Sequence, residues 1–100
     1  MKRIRVSGAA ERDLDEIWKY IAERAASIDV ADRVVDSIVD TFPVLARAPA
    51  AGRKRDDIES GVRCFPVANY IVYYRATGRY VVIARVIHGM RDQRSAFTAE

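Results

Sequence analysis

GVRCFPVANYIVYYRATGRYVVIARVIHGMRD, residues Gly61–Asp92, holds two apolar runs, Tyr70–Tyr74 and Tyr80–Ile87, rich in valine, isoleucine and tyrosine. Those residue types suit a pleated, packed surface, so both runs read as strands. Ala76-Thr77-Gly78 lies between them, and Gly78 can take the positive φ of a tight reversal. A third run, Val62–Val67, comes first and is closed by Pro66 and the turn-prone Asn69. The stretch therefore predicts a three-strand antiparallel meander. Arginines recur along it: Arg63, Arg75, Arg79, Arg85 and Arg91. An arginine in an apolar strand must reach solvent, a carboxylate or an anionic partner, because an unpaired buried charge is costly. What these arginines face becomes the functional question.

Upstream of the meander the pattern changes period. Lys2–Val6 alternates charged and apolar residues, as a strand with one wet face does. Ser7 is a good N-cap, and Glu11, Asp13, Asp15 and Glu16 sit in the early turns, where the helix dipole favours acids. Leu14, Ile17, Trp18 and Ile21 form one stripe of a helix ending near Arg24. A second helix starts near the capping residue Asp29 and carries Ala31, Val34, Val35, Ile38, Val39, Phe42 and Leu45. Pro43 should kink it or end its regular part, and Pro49 stops it. The short break Ala25–Ile28 makes the two an antiparallel hairpin. Ala50–Ser60 reads as a surface loop, and the residues after Asp92 as a frayed tail or a last helical turn around Phe97. The expected order is β-α-α-β-β-β: an α+β domain spanning 1–100, its helical hairpin packed on one face of an antiparallel β-sheet. Leu14, Ile17, Trp18, Ile21, Val35, Ile38, Phe42 and Leu45 should be buried between the layers, and an enclosed Trp18 should cost about 3–5 kcal/mol on truncation to alanine.

With 50% apolar residues in 100, the chain can build one core and is not a disordered tail. Its lone cysteine, Cys64, has no internal disulfide partner, which fits a reducing cytosol. MKRIRVSG has a basic start without the apolar region of a secretory signal, and Cys64–Tyr74, the longest uncharged stretch, is far short of a membrane span. A cytoplasmic protein is expected. The net charge of +3 is uneven: residues 1–50 carry 8 basic and 9 acidic side chains, residues 51–100 carry 9 and 5. The basic meander half admits nucleic acid or an acidic protein segment as partner.

Catalytic patterns are sparse. One histidine and one cysteine cannot build an ordinary zinc site, and scattered glycines form no phosphate cradle, so neither metal nor cofactor is expected. Ser95, His88 and Asp92 compose a triad only on paper, with no nucleophile on a sharp turn. His88, beside Arg85 and before Arg91, could act as a general acid in RNA cleavage; the competing reading is a strand-end histidine bonded to a neighbouring carbonyl or Asp92. Arg53-Lys54-Arg55-Asp56-Asp57 reads as a solvated loop with local ion pairing, against a phosphate-binding loop, and Arg91-Asp92 as a local pair fixing the turn after Gly89. Cys64 reads as a small buried apolar residue, while Trp18 and the tyrosines read as core or groove lining, with base stacking as the alternative.

Five pieces in order resemble the ParE branch of the RelE/ParE toxins of bacterial type II toxin–antitoxin pairs. They are Ala10-x-x-Asp13-Leu14-x-x-Ile17-Trp18-x-Tyr20-Ile21, Phe42-x-x-Leu45-Ala46-x-x-Pro49-x-x-Gly52-Arg53 and Gly61-x-Arg63-x-Phe65-Pro66-Val67. Tyr70-x-x-x-Tyr74-Arg75 and Ile83-x-Arg85-Val86-x-His88-Gly89-x-Arg91-Asp92 complete the set. The resemblance implies a helical hairpin on an antiparallel sheet and a growth-inhibiting toxin neutralised by a ParD-like antitoxin whose C-terminal segment wraps it. ParE-like members are associated with poisoning DNA gyrase, whereas the RelE-like branch cleaves messenger RNA on the ribosome. Nuclease members tend to keep a catalytic tyrosine at the end of the last strand; here Gly89 follows His88, and Lys54 is the only lysine in the second half. Arg63 and Arg85 do fall where nuclease members keep phosphate-binding arginines. The resulting expectation is a gyrase poison that is not itself an enzyme, hetero-oligomeric with its antitoxin, and meeting antitoxin or target through Trp18, Arg63, Tyr74, Arg75, Arg85, His88 and Arg91. Two alternatives remain: a ribosome-dependent endoribonuclease using Arg63, Arg85 and His88, and a non-toxic chain that only pairs with antitoxin.

Overall fold

Ser7 joins the first two elements. Its extended backbone ends strand β1 (Arg3–Val6), and its Oγ accepts the Ala10 N–H at 3.0 Å to cap helix α1 (Gly8–Ala25). The computed structural model describes residues 1–99. Ala26, left-handed at φ 49°, ends α1. Ser27, two residues before the expected cap, accepts the Val30 N–H and opens α2 (Ile28–Val39). A link of two residues folds α2 back along α1, and the Trp18 indole donates to Asp32 across the hairpin at 2.8 Å.

The second predicted helix is two helices. α2 stops at Val39, and α3 (Phe42–Arg47) starts afresh with Pro43 in its first turn. A continuous helix would leave the Val39 carbonyl without the N–H that Pro43 lacks; within the first turn that N–H is not needed. The Thr41 backbone and hydroxyl both donate to the Ile38 carbonyl and finish α2.

Strands β3 (Arg63–Val67), β4 (Tyr70–Thr77) and β5 (Tyr80–His88) form the expected antiparallel meander, joined by two-residue turns at Ala68-Asn69 and Gly78-Arg79. Gly78 takes φ +52°. β1 on one side and the two-residue β2 (Arg53–Lys54) on the other extend the sheet to the order β1-β5-β4-β3-β2. β1 joins β5 in parallel, so the sheet is mixed rather than wholly antiparallel. β2 lies inside the stretch expected to be loop and pairs with Cys64 and Arg63.

Ile17, Ile38, Phe42 and Leu45 pack on Val72, Tyr74, Val81, Ile83 and Val86, forming the core between the helices and the sheet. Leu14, Ile21 and Val35 reach it only in part, and Trp18 is half-buried outside it, contrary to the sequence expectation. Trp18 carries an N–H that needs a partner, and the hairpin's flank supplies Asp32. The opposite sheet face has its own cover. Helix α4 (Gln93–Thr98), capped by Asp92, lays Ala96 and Phe97 over Val62, Cys64, Tyr73 and Ile87. Cys64 is buried there as a small apolar residue. No helix among the described residues is long and apolar enough to cross a membrane.

Candidate functional site

β5 is shielded by β1 only as far as Ile83. Beyond that the start of α1 takes over its open edge. The Ser7 N–H donates to the Ile83 carbonyl and the Ser7 hydroxyl to the Ala84 carbonyl, both at 2.9 Å. The Asp13 carboxylate then accepts the Val86 N–H at 2.9 Å. Arg85 closes the arrangement: Nε and Nη2 donate to the two Asp13 oxygens at 2.7 and 2.8 Å. Its Nη1 meets the carbonyls of Ala96, Phe97 and Ala99 at 2.8, 3.0 and 2.6 Å. Arg85 is 8% exposed and Asp13 9%. The bond to Asp13 raises the guanidinium's already high pKa, so Arg85 stays charged. Arg85 thus ties β5, α1 and α4 together and presents no free cation to a phosphate.

The other sequence candidates scatter. Arg63 donates to the Gly52 carbonyl at 2.8 Å. Tyr74 is 0% exposed, its hydroxyl donating to the Pro49 carbonyl and accepting the Gly52 N–H, each at 2.8 Å. It anchors the chain between α3 and β2 and offers no surface to a partner, which corrects its assignment as a contact residue. A Cβ at Gly52 would lie 2.6 Å from the Tyr74 hydroxyl and 2.7 Å from the Cys64 carbonyl, so only glycine fits. Arg75 is paired with Glu59 near the Phe97 ring. Arg55 and Asp57 form a two-pronged pair at 3.0 and 3.1 Å, which raises the arginine and lowers the carboxyl, as local ion pairing in that loop implied.

His88 and Arg91 do come together, at one end of the sheet. They line a groove of about 710 Å³ between α1 and the β3–β4 turn. Its floor is apolar, from Ile17, Ile21, Val34, Tyr70 and Val86, with the exposed Tyr20 at its side. Asp13 and Glu16 border it from α1, opposite the basic residues. The His88 ring meets Tyr70 edge-on at 5.1 Å. Its Nδ1 accepts the Met90 N–H at 3.0 Å, so the neutral ring carries its proton on Nε2. Asp92 caps α4 through the Ser95 N–H at 3.2 Å instead of pairing with Arg91, so neither the expected turn pair nor a Ser95-His88-Asp92 triad is assembled.

An acid–base set built on Arg63, Arg85 and His88 is not gathered here. Arg63 stands opposite Tyr74 and His88 opposite Tyr70, four residues apart on β4 and so about 13 Å along the sheet. Arg85 shares the other face with Tyr73 by register. With Asp13 neutralised by Arg85, what the groove offers is an apolar trough bordered by Glu16 on one side and Arg91 on the other, suited to an amphipathic polypeptide. Tyr20 and Tyr70, its aromatic lining, were not singled out by sequence. Both lie in the quoted motifs, but only the fold shows that Tyr70 opposes His88 and that both lie across from α1.

Residues 4–93 match the family model described as the ParE toxin of the type II toxin–antitoxin system, parDE. The chain is 32% identical over 95 residues to Toxin ParE1 of Caulobacter vibrioides, covering 95% of this chain and 97% of that protein. It is 31% identical over 91 residues to Toxin RelE3 of the same organism, covering 90% and 97%. Among solved structures, it is similar to a chain of the chromosomal ParDE system from P. aeruginosa, with TM-score 0.76 and 22% identity over 88% of this chain and 96% of that one. The RelBE2 toxin–antitoxin complex from Mycobacterium tuberculosis shares the fold at TM-score 0.64 and 24% identity, covering 87% and 96%.

Proposed function

The chain belongs to the ParE toxin family of type II toxin–antitoxin systems, and from that premise we propose that it poisons DNA gyrase without catalysis of its own and is held inactive by a ParD-like antitoxin. The observation that carries this reading is the fate of Arg85. A nuclease needs a cation free to meet the scissile phosphate, and this guanidinium is engaged by Asp13, two α4 carbonyls and that of Ala99 just after the helix. Among the described residues the groove brings no cation to His88 other than Arg91, Arg63 on the same face standing about 13 Å away, and Gly89 stands where a nuclease keeps its tyrosine.

The groove is the antitoxin's seat in this reading. Apolar side chains of the antitoxin's C-terminal segment anchor on Ile17, Tyr20 and Tyr70, and an acidic side chain meets Arg91. Covering the exposed tyrosine and the trough stabilises the toxin by linkage, so the complex melts well above the free chain.

The test is controlled expression of the unaltered chain and of His88→Ala, with DNA breaks and transcript cleavage read separately. A poison transfers no proton, so His88→Ala should still arrest division and damage DNA, with transcripts intact. A nuclease would lose about 10²–10⁴ of its cleavage rate. Codon-phased transcript cuts by the unaltered chain, absent from the variant, would overturn the proposal in favour of RNA cleavage.

A further inference from the structure

At the far end of the sheet, away from the groove, lies a second concavity of about 470 Å³. Lys2, Arg3, Arg47 and Arg79 line it with Met1, Ala46 and Pro49, and no carboxylate does. Three chain segments bring those cations together, and backbone bonds fix them. The Lys2 N–H donates to the Ala46 carbonyl at 3.0 Å, tying β1 to α3. The Arg3 N–H donates to the Arg79 carbonyl at 2.7 Å, tying β1 to the β4–β5 turn, and Lys2 Nζ reaches the Gly78 carbonyl at that turn. Among the described residues none of the four forms an ion pair, and the three arginines are exposed. The basic surface continues along β1. Arg5 shares Arg3's side of the strand, about 7 Å further on, and its guanidinium lies 4.3 Å from the centre of the Tyr80 ring.

Like charges held side by side repel, and a stability-driven surface mixes signs instead. Such a cluster concentrates anions from solution. The cleft is open and its positive surface runs on along β1 to Arg5, which suits a linear polyanion better than a small anion. Its apolar lining is confined to Met1, Ala46 and Pro49, without the aromatic and branched side chains that floor the groove, so an acidic protein segment would find poorer anchors there. The stacked Arg5–Tyr80 pair, by contrast, presents a guanidinium plane on which a base can stack.

We infer that the cleft formed by Lys2, Arg3, Arg47 and Arg79 binds the phosphate backbone of a nucleic acid. This goes beyond the proposed function and does not rest on it: the binding needs neither antitoxin nor gyrase. The cleft and the groove lie at opposite ends of the β4–β5 hairpin, about 23 Å apart along the strands, so a ligand in one leaves the other accessible.

Fluorescence anisotropy of the purified 100-residue chain tests this with labelled duplex DNA, the corresponding single strand, and polyglutamate as a competing polyanion. Four phosphate contacts predict a slope of log affinity against log salt of about −3.6 for the duplex and about −2.8 for the single strand. Arg47→Glu with Arg79→Glu should flatten the duplex slope by about 2 and abolish binding at physiological salt, with the circular dichroism spectrum unchanged because both side chains are exposed. Arg33→Glu, on the exposed side of α2, changes net charge as much as either single reversal and should leave the slope intact. Three results would overturn the inference: no binding at low salt, a double reversal no more damaging than twice Arg33→Glu, or polyglutamate displacing the duplex at equal charge. The last would assign the cleft to an acidic protein instead. Should the double reversal unfold, Arg79→Gln alone must still reduce the slope by about 1.

Discussion

Replacing Asp13 with alanine removes the only anion that Arg85 meets among the described residues, together with the acceptor for the Val86 N–H. The guanidinium stays in place, 8% exposed, still donating to the α4 carbonyls but without a counter-charge. Breaking a buried ion pair from one side costs about 3–5 kcal/mol, and the orphaned N–H contributes to that figure without adding in full. Arg85→Met leaves the carboxylate buried with a single N–H donor and frees α4, and should cost a similar amount. The combination Asp13→Leu with Arg85→Met removes both charges and should cost less than the sum of the separate changes by at least about 1.5 kcal/mol. Urea unfolding at constant m reads each difference from the midpoint. An Asp13→Ala loss below about 1 kcal/mol would refute the reasoning. The pair would then be hydrated in solution, α4 would not seal it, and Arg85 would be available to a phosphate.

Burial holds the Tyr70, Tyr73 and Tyr74 hydroxyls above their ordinary pKa of 10.0. Their contribution to stability is complete below the unfolded-state value and is lost as pH rises through the raised folded-state values. Alkaline unfolding and phenolate absorbance from these three should therefore appear in one cooperative step above about pH 10; gradual ionisation without unfolding would contradict their burial. Gly52→Ala forces its methyl into the Tyr74 hydroxyl and the Cys64 carbonyl and should cost about 1–3 kcal/mol; because the carbonyl is backbone, adding Tyr74→Phe should not restore stability. Trp18→Ala, now a half-buried ring with one hydrogen bond, should cost about 1–2 kcal/mol in thermal or urea unfolding, well below the figure for an enclosed ring.

The meander was legible because its runs combine strand-favouring residues with turn signals at Asn69 and Gly78, and each signal is local. The helical hairpin was legible from the spacing of Ile17, Ile38 and their neighbours for the same reason. What escaped depends on non-local pairing. β2 is two charged residues whose only strand signal is the partner they meet, and the parallel docking of β1 follows from where α1 returns the chain. Among site residues, Arg85 was visible as a problem, a cation within an apolar strand. Its solution, an aspartate 72 positions earlier, follows only from the packing of α1 on β5. Tyr74 misled for a related reason: its polar end is satisfied by the main chain at Pro49 and Gly52, which no residue pattern announces.

Where β4 crosses β5, Tyr73 stands opposite Arg85 and Tyr74 opposite Ile83, so Ala84 has no partner of its own. That one surplus residue inverts the parity of everything after it. Before it, odd-numbered Val81 and Ile83 face the helices; after it, even-numbered Val86 does, while Ile87 turns to the α4 side. The bulge at this position therefore acts as an address. Deleting Ala84 would only close it, leaving Arg85 opposite Tyr73 and His88 opposite Tyr70 on their present faces. Straightening the ladder with Ala84 retained would instead swing Arg85 to the helix side and carry His88 out of the groove to the opposite face. Homologues of equal length with an unbulged ladder would consequently hold the same letters on opposite sides of the sheet, whereas a one-residue gap at Ala84 leaves the roles of Arg85 and His88 transferable.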